Sequence, residues 1–478
     1  MKTKVTTLLF FLIVILFARV KAQEIISDTL PGHVAGIRQE LDVLKRIKIS
    51  GYIQAQYQIT DSAGSQGFAG GNFAPGVDKR FILRESRLKL QYDAPINEKG
   101  WSTSQFVFQI DASQNGLALK DMYAKFTDPW SGWFSITAGM QNRPFGFEIV
   151  YSSSLRESPD RGRMSQIIFP GERDLGAMLT IQGTKLSNWD WIKLDLGMFN
   201  GTGAPGAGAS VNDFDKFKDF IGHIGLSKSY KSELIKWGLG ASYYKGGFRQ
   251  DVADNYKFGT DANSVKGFMI DKKKADINTS LVAQLSVKRT SVGFDGQINI
   301  DWLPGITTLR AEYIQGKQPA TSGSSASPSS LPSSTVTTFT SVTTIDTTSG
   351  AAATTTTAKT STIPSDIYTR NFNGAYFYFL QNIGNSPWQT IIKYDWYDPN
   401  TDIKGDEIGK SVASGFKASN ATDLKYSTWG FGLAYRWDAN VKLTAYYDLV
   451  TNETSKNLSG ATNDIKDNVF TLRAQVKF

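Results

Sequence analysis

Between residues 143 and 174 the chain carries five arginines, Arg143, Arg156, Arg161, Arg163 and Arg173. They are interleaved with five acids, Glu148, Glu157, Asp160, Glu172 and Asp174. A guanidinium keeps its charge at any working pH and grips a phosphate or carboxylate through two parallel N–H donors. Such a run can bind anions, or it can close on its own acids as internal salt bridges. Its even balance of signs suits a field across an opening better than a deep anion well. Catalysis fits poorly. The histidines are His33 and His223, with no Ser/His/Asp set or metal-ligand spacing around them, so neither enzyme activity, metal nor cofactor is expected.

Two strand-like runs must hold this segment. In the first, Phe134, Ile136, Ala138 and Met140 share one face, and Ser135, Thr137, Gly139, Gln141 and Arg143 the other. In the second, Leu175, Ala177, Leu179 and Ile181 oppose Gly176, Met178, Thr180 and Gln182. Alternation of this kind marks a strand with one oily and one wet side. The connection is about thirty residues, against a usual roughly 4–6. The pattern predicts that residues 144–172 fold into the lumen of a barrel and set its width and charge.

The rest of the chain repeats the period of two. Glu85, Arg87 and Lys89 lie opposite Leu88 and Leu90, while Arg84 falls on the apolar parity, at the rim or beside a bulge. By parity Lys125 also faces inward. The last strand sets Phe470, Leu472, Ala474, Val476 and Phe478 on one face and resembles the C-terminal assembly signal of bacterial outer-membrane proteins. Short turns such as 128–130, 303–305 and 438–440 alternate with long polar loops, and Trp101, Trp133, Trp191, Trp302, Trp388, Trp396 and Trp437 fall near strand ends, as an interfacial girdle requires. The expected fold class is all-β: a transmembrane up-and-down antiparallel barrel of about sixteen strands. Strands are expected to start near residues 47, 80, 101, 119, 133, 174, 191, 219, 234, 291, 306, 370, 388, 424, 441 and 468.

The flanking segments bound the rest. Lys2 and Lys4 precede the apolar run Leu8 to Phe17, and Val20-Lys21-Ala22 reads as a cleavage site, so residues 1–22 are expected to be a signal peptide. Without cysteine the chain has neither a lipid-anchoring thiol nor a disulfide. The formal net charge is +8, half of it from Lys2, Lys4, Arg19 and Lys21, which is too little to argue for nucleic acid. Residues 23–46 are expected to be periplasmic. There Val34, Ile37, Leu41 and Leu44 predict a short amphipathic helix, which either seeds a small coiled coil, or packs on the barrel or plugs its base. The barrel is expected over 47–478. Within it, residues 317–367 are Ser/Thr/Ala/Pro low complexity, expected as a mobile extracellular loop.

Five stretches of this sequence resemble the phosphate-selective porin O and P family of bacterial outer-membrane porins. They are Phe81-Ile82-Leu83-Arg84-Glu85-Ser86-Arg87-Leu88; Phe106 to Asp111 with Leu119 to Tyr123; and Ala138-Gly139-Met140-Gln141-Asn142-Arg143-Pro144-Phe145-Gly146. The others are Ser152-Ser153-Ser154 leading to Asp160-Arg161 and Arg173-Asp174-Leu175-Gly176, and Leu309 to Gly316. The resemblance is dense over 80–183 and thin elsewhere. It implies a homotrimer of sixteen-stranded channels in outer-membrane lipid, with arginines leading to a constriction built partly by the third loop. The matching positions are Arg84, Arg87, Arg143, Arg161 and Arg173. One departure weakens an anion funnel: Glu85 stands where the family commonly has a second arginine.

Together these readings predict a passive outer-membrane channel for small hydrophilic solutes with a mild preference for anions, phosphate among them. Its constriction would be built from Arg84, Arg87, Lys89, Lys125, Arg143, Arg156, Arg161, Arg163 and Arg173, opposed by Glu85, Glu157 and Asp160. One alternative is a sugar or oligosaccharide channel, with Tyr52, Tyr123, Tyr376, Tyr378 and Tyr446 stacking on rings. The other is a barrel that conducts nothing and is purely structural.

Overall fold

The computed structural model describes residues 30–478 apart from 115, 186, 204–212, 214, 231–232, 250–252, 274–285, 329 and 346–351. The expected signal peptide lies outside the described residues. Two compact units are present, residues up to Lys48 and residues from Ile49 onward. In the first, Leu30–Leu44 is a helix (α1).

The alternating segments do form strands. In chain order they are β1 (Ile47–Thr60), β2 (Lys79–Asp93), β3 (Ser104–Ser113), β4 (Gly116–Thr127), β5 (Phe134–Asn142), β6 (Arg173–Gln182) and β7 (Ile192–Phe199). Next come β8 (Asp219–Tyr230), β9 (Ile235–Arg249), β10 (Asn255–Thr260), β11 (Lys266–Lys272), β12 (Ser286–Ile300) and β13 (Thr307–Ala320). They are followed by β14 (Ser333–Ile345), β15 (Ala352–Pro364), β16 (Ile367–Asn382), β17 (Trp388–Asp398) and β18 (Phe416–Lys417). The last are β19 (Tyr426–Arg436), β20 (Val441–Asn452) and β21 (Val469–Lys477).

Sixteen of these close a single antiparallel barrel: β1 to β9, then β12, β13, β16, β17, β19, β20 and β21, with β21 pairing back onto β1. Closure leaves this circuit no free edge. The seam is locked on its inner side. Gln54 Nε2 donates to Gln475 Oε1 at 2.8 Å, Gln58 Nε2 to Thr471 Oγ1 at 3.0 Å, and Arg473 Nε to Gln56 Oε1 at 2.8 Å. The outer wall is apolar, with Ile53, Ile136, Leu239, Phe294, Phe377, Trp429 and Leu472 exposed, as a membrane-spanning barrel requires. The expected strand starts are met closely; the largest offset is at β12, which begins at Ser286 rather than near 291.

Short turns gather at one end (94–103, 128–133, 183–191, 301–306, 383–387, 437–440). Long connections gather at the other (61–78, 143–172, 200–218, 321–366, 399–425, 453–468), where 114–115 is the short exception. Of the expected girdle tryptophans, all but Trp396 belong to the short-turn end.

Two features depart from expectation. On β2, Phe81, Leu83 and Leu88 are exposed while Ile82, Glu85 and Arg87 are buried, so the alternation slips one step between Leu83 and Glu85. The slip lets Arg84 and Glu85, though adjacent, both serve the interior. The stretch 317–367 is also not one irregular loop. Its first residues continue β13, Ile367 begins β16, and between them β14 and β15 form a separate two-stranded hairpin. Runs of threonine are β-branched and favour extended pairing, which composition alone does not weigh. Further out, β10, β11 and β18 add a small sheet to the start of β16.

The neck of the Thr-rich hairpin is narrow: Ser365 N–H donates to the Pro332 carbonyl at 2.9 Å. Excising 333–364 and joining the neck with a two-residue turn should leave barrel folding and thermal unfolding unchanged, measured by heat-modifiable gel mobility.

Candidate functional site

After β5 the chain turns into the barrel and does not return to the wall until β6. Three backbone hydrogen bonds fix the turn. Glu312 Oε2 on β13 accepts the N–H of Phe147 at 3.1 Å and of Glu148 at 3.0 Å, and the Tyr376 hydroxyl donates to the same oxygen at 2.8 Å. Ser242 Oγ on β9 accepts the Gly146 N–H at 2.9 Å. Gly146 has φ +59°, and a Cβ there would fall on Glu312 Oε1, so no other residue fits. Glu148 then folds the segment on itself. Its carboxylate accepts the Gly162 N–H and the Ser165 hydroxyl, the latter at 2.5 Å, at the start of a short helix, α2 (Arg163–Ile168).

The segment is packed as well as hydrogen-bonded. Phe145, Ile149, Met164, Ile167, Ile168 and Phe169 form one buried cluster with wall residues Ile221, Tyr244, Ile314, Tyr376, Tyr378, Ile391 and Tyr446. Each large side chain so buried stabilises by roughly 1.5–3 kcal/mol. At this level β8, β9, β13, β16, β17 and β20 thus offer the segment apolar and tyrosine side chains, with the Glu312 carboxylate set among them. On the opposite arc the contacts are polar: Ser153 bonds Tyr52 and Glu85, and its carbonyl accepts from Gln54 Nε2 at 3.0 Å.

The structure brings most of the sequence-selected cations together, but chiefly as partners of acids. Arg84 Nη2 lies 2.6 Å from Asp160 Oδ1. Arg87 reaches Glu85 at 3.1 Å and Asp111 at 3.5 Å. Arg161 pairs with Glu172 and donates to the Glu148 carbonyl at 3.0 Å. Arg173 pairs with Glu172 and, at 3.1 Å, with Asp121. Arg163 leaves the segment for Asp467 at 3.3 Å and lies over the rings of Phe68 and Tyr426. Glu157 is held by Arg310 at 2.9 Å, and Arg473 also approaches Asp160 at 3.6 Å. Removing one partner of such a buried pair costs about 3–5 kcal/mol.

Arg143 has no acid within ion-pair distance among the described residues. It donates to the Pro170 carbonyl at 3.1 Å and lies against the Phe169 ring. Arg156 is 4% exposed, yet its Nε and Nη2 find no acceptor among the described residues. Lys89 and Lys125 have no ion pair among the described residues. They line a cavity of about 420 Å³ between the segment and β2 to β7, on the short-turn side. Its charged lining is Arg87, Lys89, Lys125, Arg161, Arg173 and Lys193 against Asp121 and Asp195. On the long-loop side a cavity of about 30 Å³, room for roughly one water, is lined by Asp160, Arg161, Lys393, Asp395, Tyr446 and Asp448 among others. Arg161 lines both.

Sequence reasoning did not single out Glu312, Glu148, Glu172, Arg310 and Arg473 as site residues. Their inward parity or loop position was visible, but partners such as Arg310 and Glu157 are too far apart in sequence for any spacing rule. The inward tyrosines are a correction. Tyr52, Tyr376, Tyr378 and Tyr446 are buried, the last three against the loop, and only Tyr123 lines the 420 Å³ cavity.

No family model matches the chain, and no curated protein matches it. Similar solved structures include OmpT, an outer membrane protein of Vibrio cholerae in a trimer form (8% identity, 90% of this chain, 99% of that chain, TM-score 0.45). Others are an anion-selective porin from Comamonas acidovorans (10%, 90%, 99%, 0.48) and Salmonella typhi OmpF in complex with daunomycin (12%, 90%, 97%, 0.47). The barrel assignment rests on the strand pairings themselves.

Two outcomes follow for the inward segment. Burial pushes the Glu172 carboxyl up, but Arg161 and Arg173 outweigh it and hold it well below the usual range. Burial likewise opposes Arg84 and Arg473 at Asp160, and the arginines prevail. Depressed carboxyls contribute in full above about pH 5, where an unfolded Asp or Glu is mostly ionised, and lose that contribution as pH falls from there through the folded values. Hydrogen-exchange protection of 144–172, corrected for intrinsic rate, should stay flat from pH 8 to about pH 5 and fall progressively below it. Glu312→Ala should also expose Arg156, Arg161 and Arg163 to trypsin at least about tenfold faster than wild type, the ratio for about 1.4 kcal/mol of local stability. Glu312→Gln, which keeps an acceptor, should do less.

Proposed function

We propose that this chain is a passive diffusion channel of the bacterial outer membrane, passing small hydrophilic solutes with a mild preference for anions. The observation that carries the reading is the 420 Å³ cavity, whose cationic lining includes Lys89 and Lys125, without an acid partner among the described residues. A barrel of this strand number is wide enough to hold water, and inward cations favour anions. Arg161, facing both cavities, is the constriction residue; Arg156 adds two guanidinium nitrogens that find no acceptor among the described residues. Most of the remaining arginines position the loop rather than the solute, because acids already occupy them. That supports a general preference over a site built for phosphate alone. Assembly as a homotrimer follows the resemblance to the phosphate-selective porins.

Burial of four of the five inward tyrosines argues against sugar stacking. The non-conducting alternative is decided by measurement. In planar bilayers the purified protein should conduct, and Lys89→Gln with Lys125→Gln should lower the anion-to-cation permeability ratio by about twofold or more. A silent bilayer would leave a structural barrel; an unchanged ratio would remove these lysines from selectivity.

A further inference from the structure

Helix α1 carries an apolar stripe that nothing covers among the described residues of its unit. Val34, Ile37, Leu41 and Leu44 are 40%, 57%, 46% and 61% exposed. Their spacing of three, four and three residues is that of the two seam positions of a coiled coil, with Val34 and Leu41 at the first and Ile37 and Leu44 at the second. A lone helix of 15 residues is marginal in water, and an exposed stripe makes it worse.

We propose that α1 is an assembly element, its stripe packing in parallel against the same stripe of further copies of this chain. Charge selects both the occupant and the direction. In this register Glu40 and Lys45 flank the seam. In a parallel pair each Glu40 faces the partner's Lys45, five residues on. An antiparallel pair would set Glu40 against its own counterpart, like against like. The intrachain alternative for Lys45 is a solvated 3.7 Å contact with Asp42, with both side chains mostly exposed, and such contacts compete weakly. Two heptads are few, but copies whose barrels share a membrane hold their helices at high effective concentration. The inference rests on the membrane placement and not on conduction, so a conducting protein with unpaired helices would defeat it alone.

The chain has no cysteine, so single introduced thiols report without interference. Ile37→Cys, on the seam, and Asp42→Cys, on the outer face, are made in the full-length protein and oxidised mildly in outer-membrane fractions. Ile37→Cys should give a disulfide-linked dimer about tenfold more abundant than Asp42→Cys does, because the bond needs Cα atoms within about 7 Å. Adding Glu40→Lys to the Ile37→Cys chain should cut the yield severalfold, and adding Lys45→Glu should restore it. Monomeric Ile37→Cys, equal yields at 37 and 42, or no restoration by the double charge swap would each overturn the proposal.

Discussion

The carboxylate of Glu312 is the point on which the interior is built. One oxygen takes two consecutive backbone amides and a tyrosine hydroxyl, which fixes the direction of the chain as it leaves β5. A peptide segment inside a barrel faces a double requirement. Its amides must find acceptors, and its side chains must find either water or packing. Glu312 meets the first at the turn, Glu148 meets it again at α2, and the Phe145–Phe169 cluster meets the second. Gly146 exists because the acceptor lies too near for any Cβ.

The same constraint decides what the arginines do. A guanidinium taken from bulk water keeps its charge and needs acceptors in return. Here Arg84, Arg87, Arg161, Arg163 and Arg173 find carboxylates, and Arg143 finds carbonyls. These pairs tie the loop to β2, β4 and the connection before β21 at once. The lumen is thus rich in charge while little of it is unspent. Among the described residues, the sequence-selected cations left over, Lys89 and Lys125 on the wall and Arg156 on the loop, stand out by lacking a side-chain partner rather than by any motif.

The barrel was legible because period-two alternation repeats for sixteen strands, and a slip of a few residues at β12 does not disturb it. Turn chemistry and tryptophan positions added the polarity of the two ends. The inward course of 144–172 was legible from its length and charge. What could not be read was pairing across long separations, such as Arg173 with Asp121 or Arg310 with Glu157. Nor could parity tell an inward tyrosine that meets solute from one that meets a loop, because parity gives a direction and not a neighbour. The phase slip on β2 was foreshadowed by Arg84, whose apolar parity allowed either a rim position or a bulge: one extra residue moves a side chain to the other face.

Packing the segment's oily side against β13 to β20 and its polar side toward β2 to β7 divides the inner wall into two territories. On the first, a substitution is felt as a change of volume in a close-packed interior, into which Glu312, Arg310 and the Lys393–Asp395 pair are set as hydrogen-bonded or paired charges. On the second, residues border open space, where side-chain volume is less constrained. A circle of similar strands is thereby made lopsided, with one arc serving as keystone and the other as shoreline.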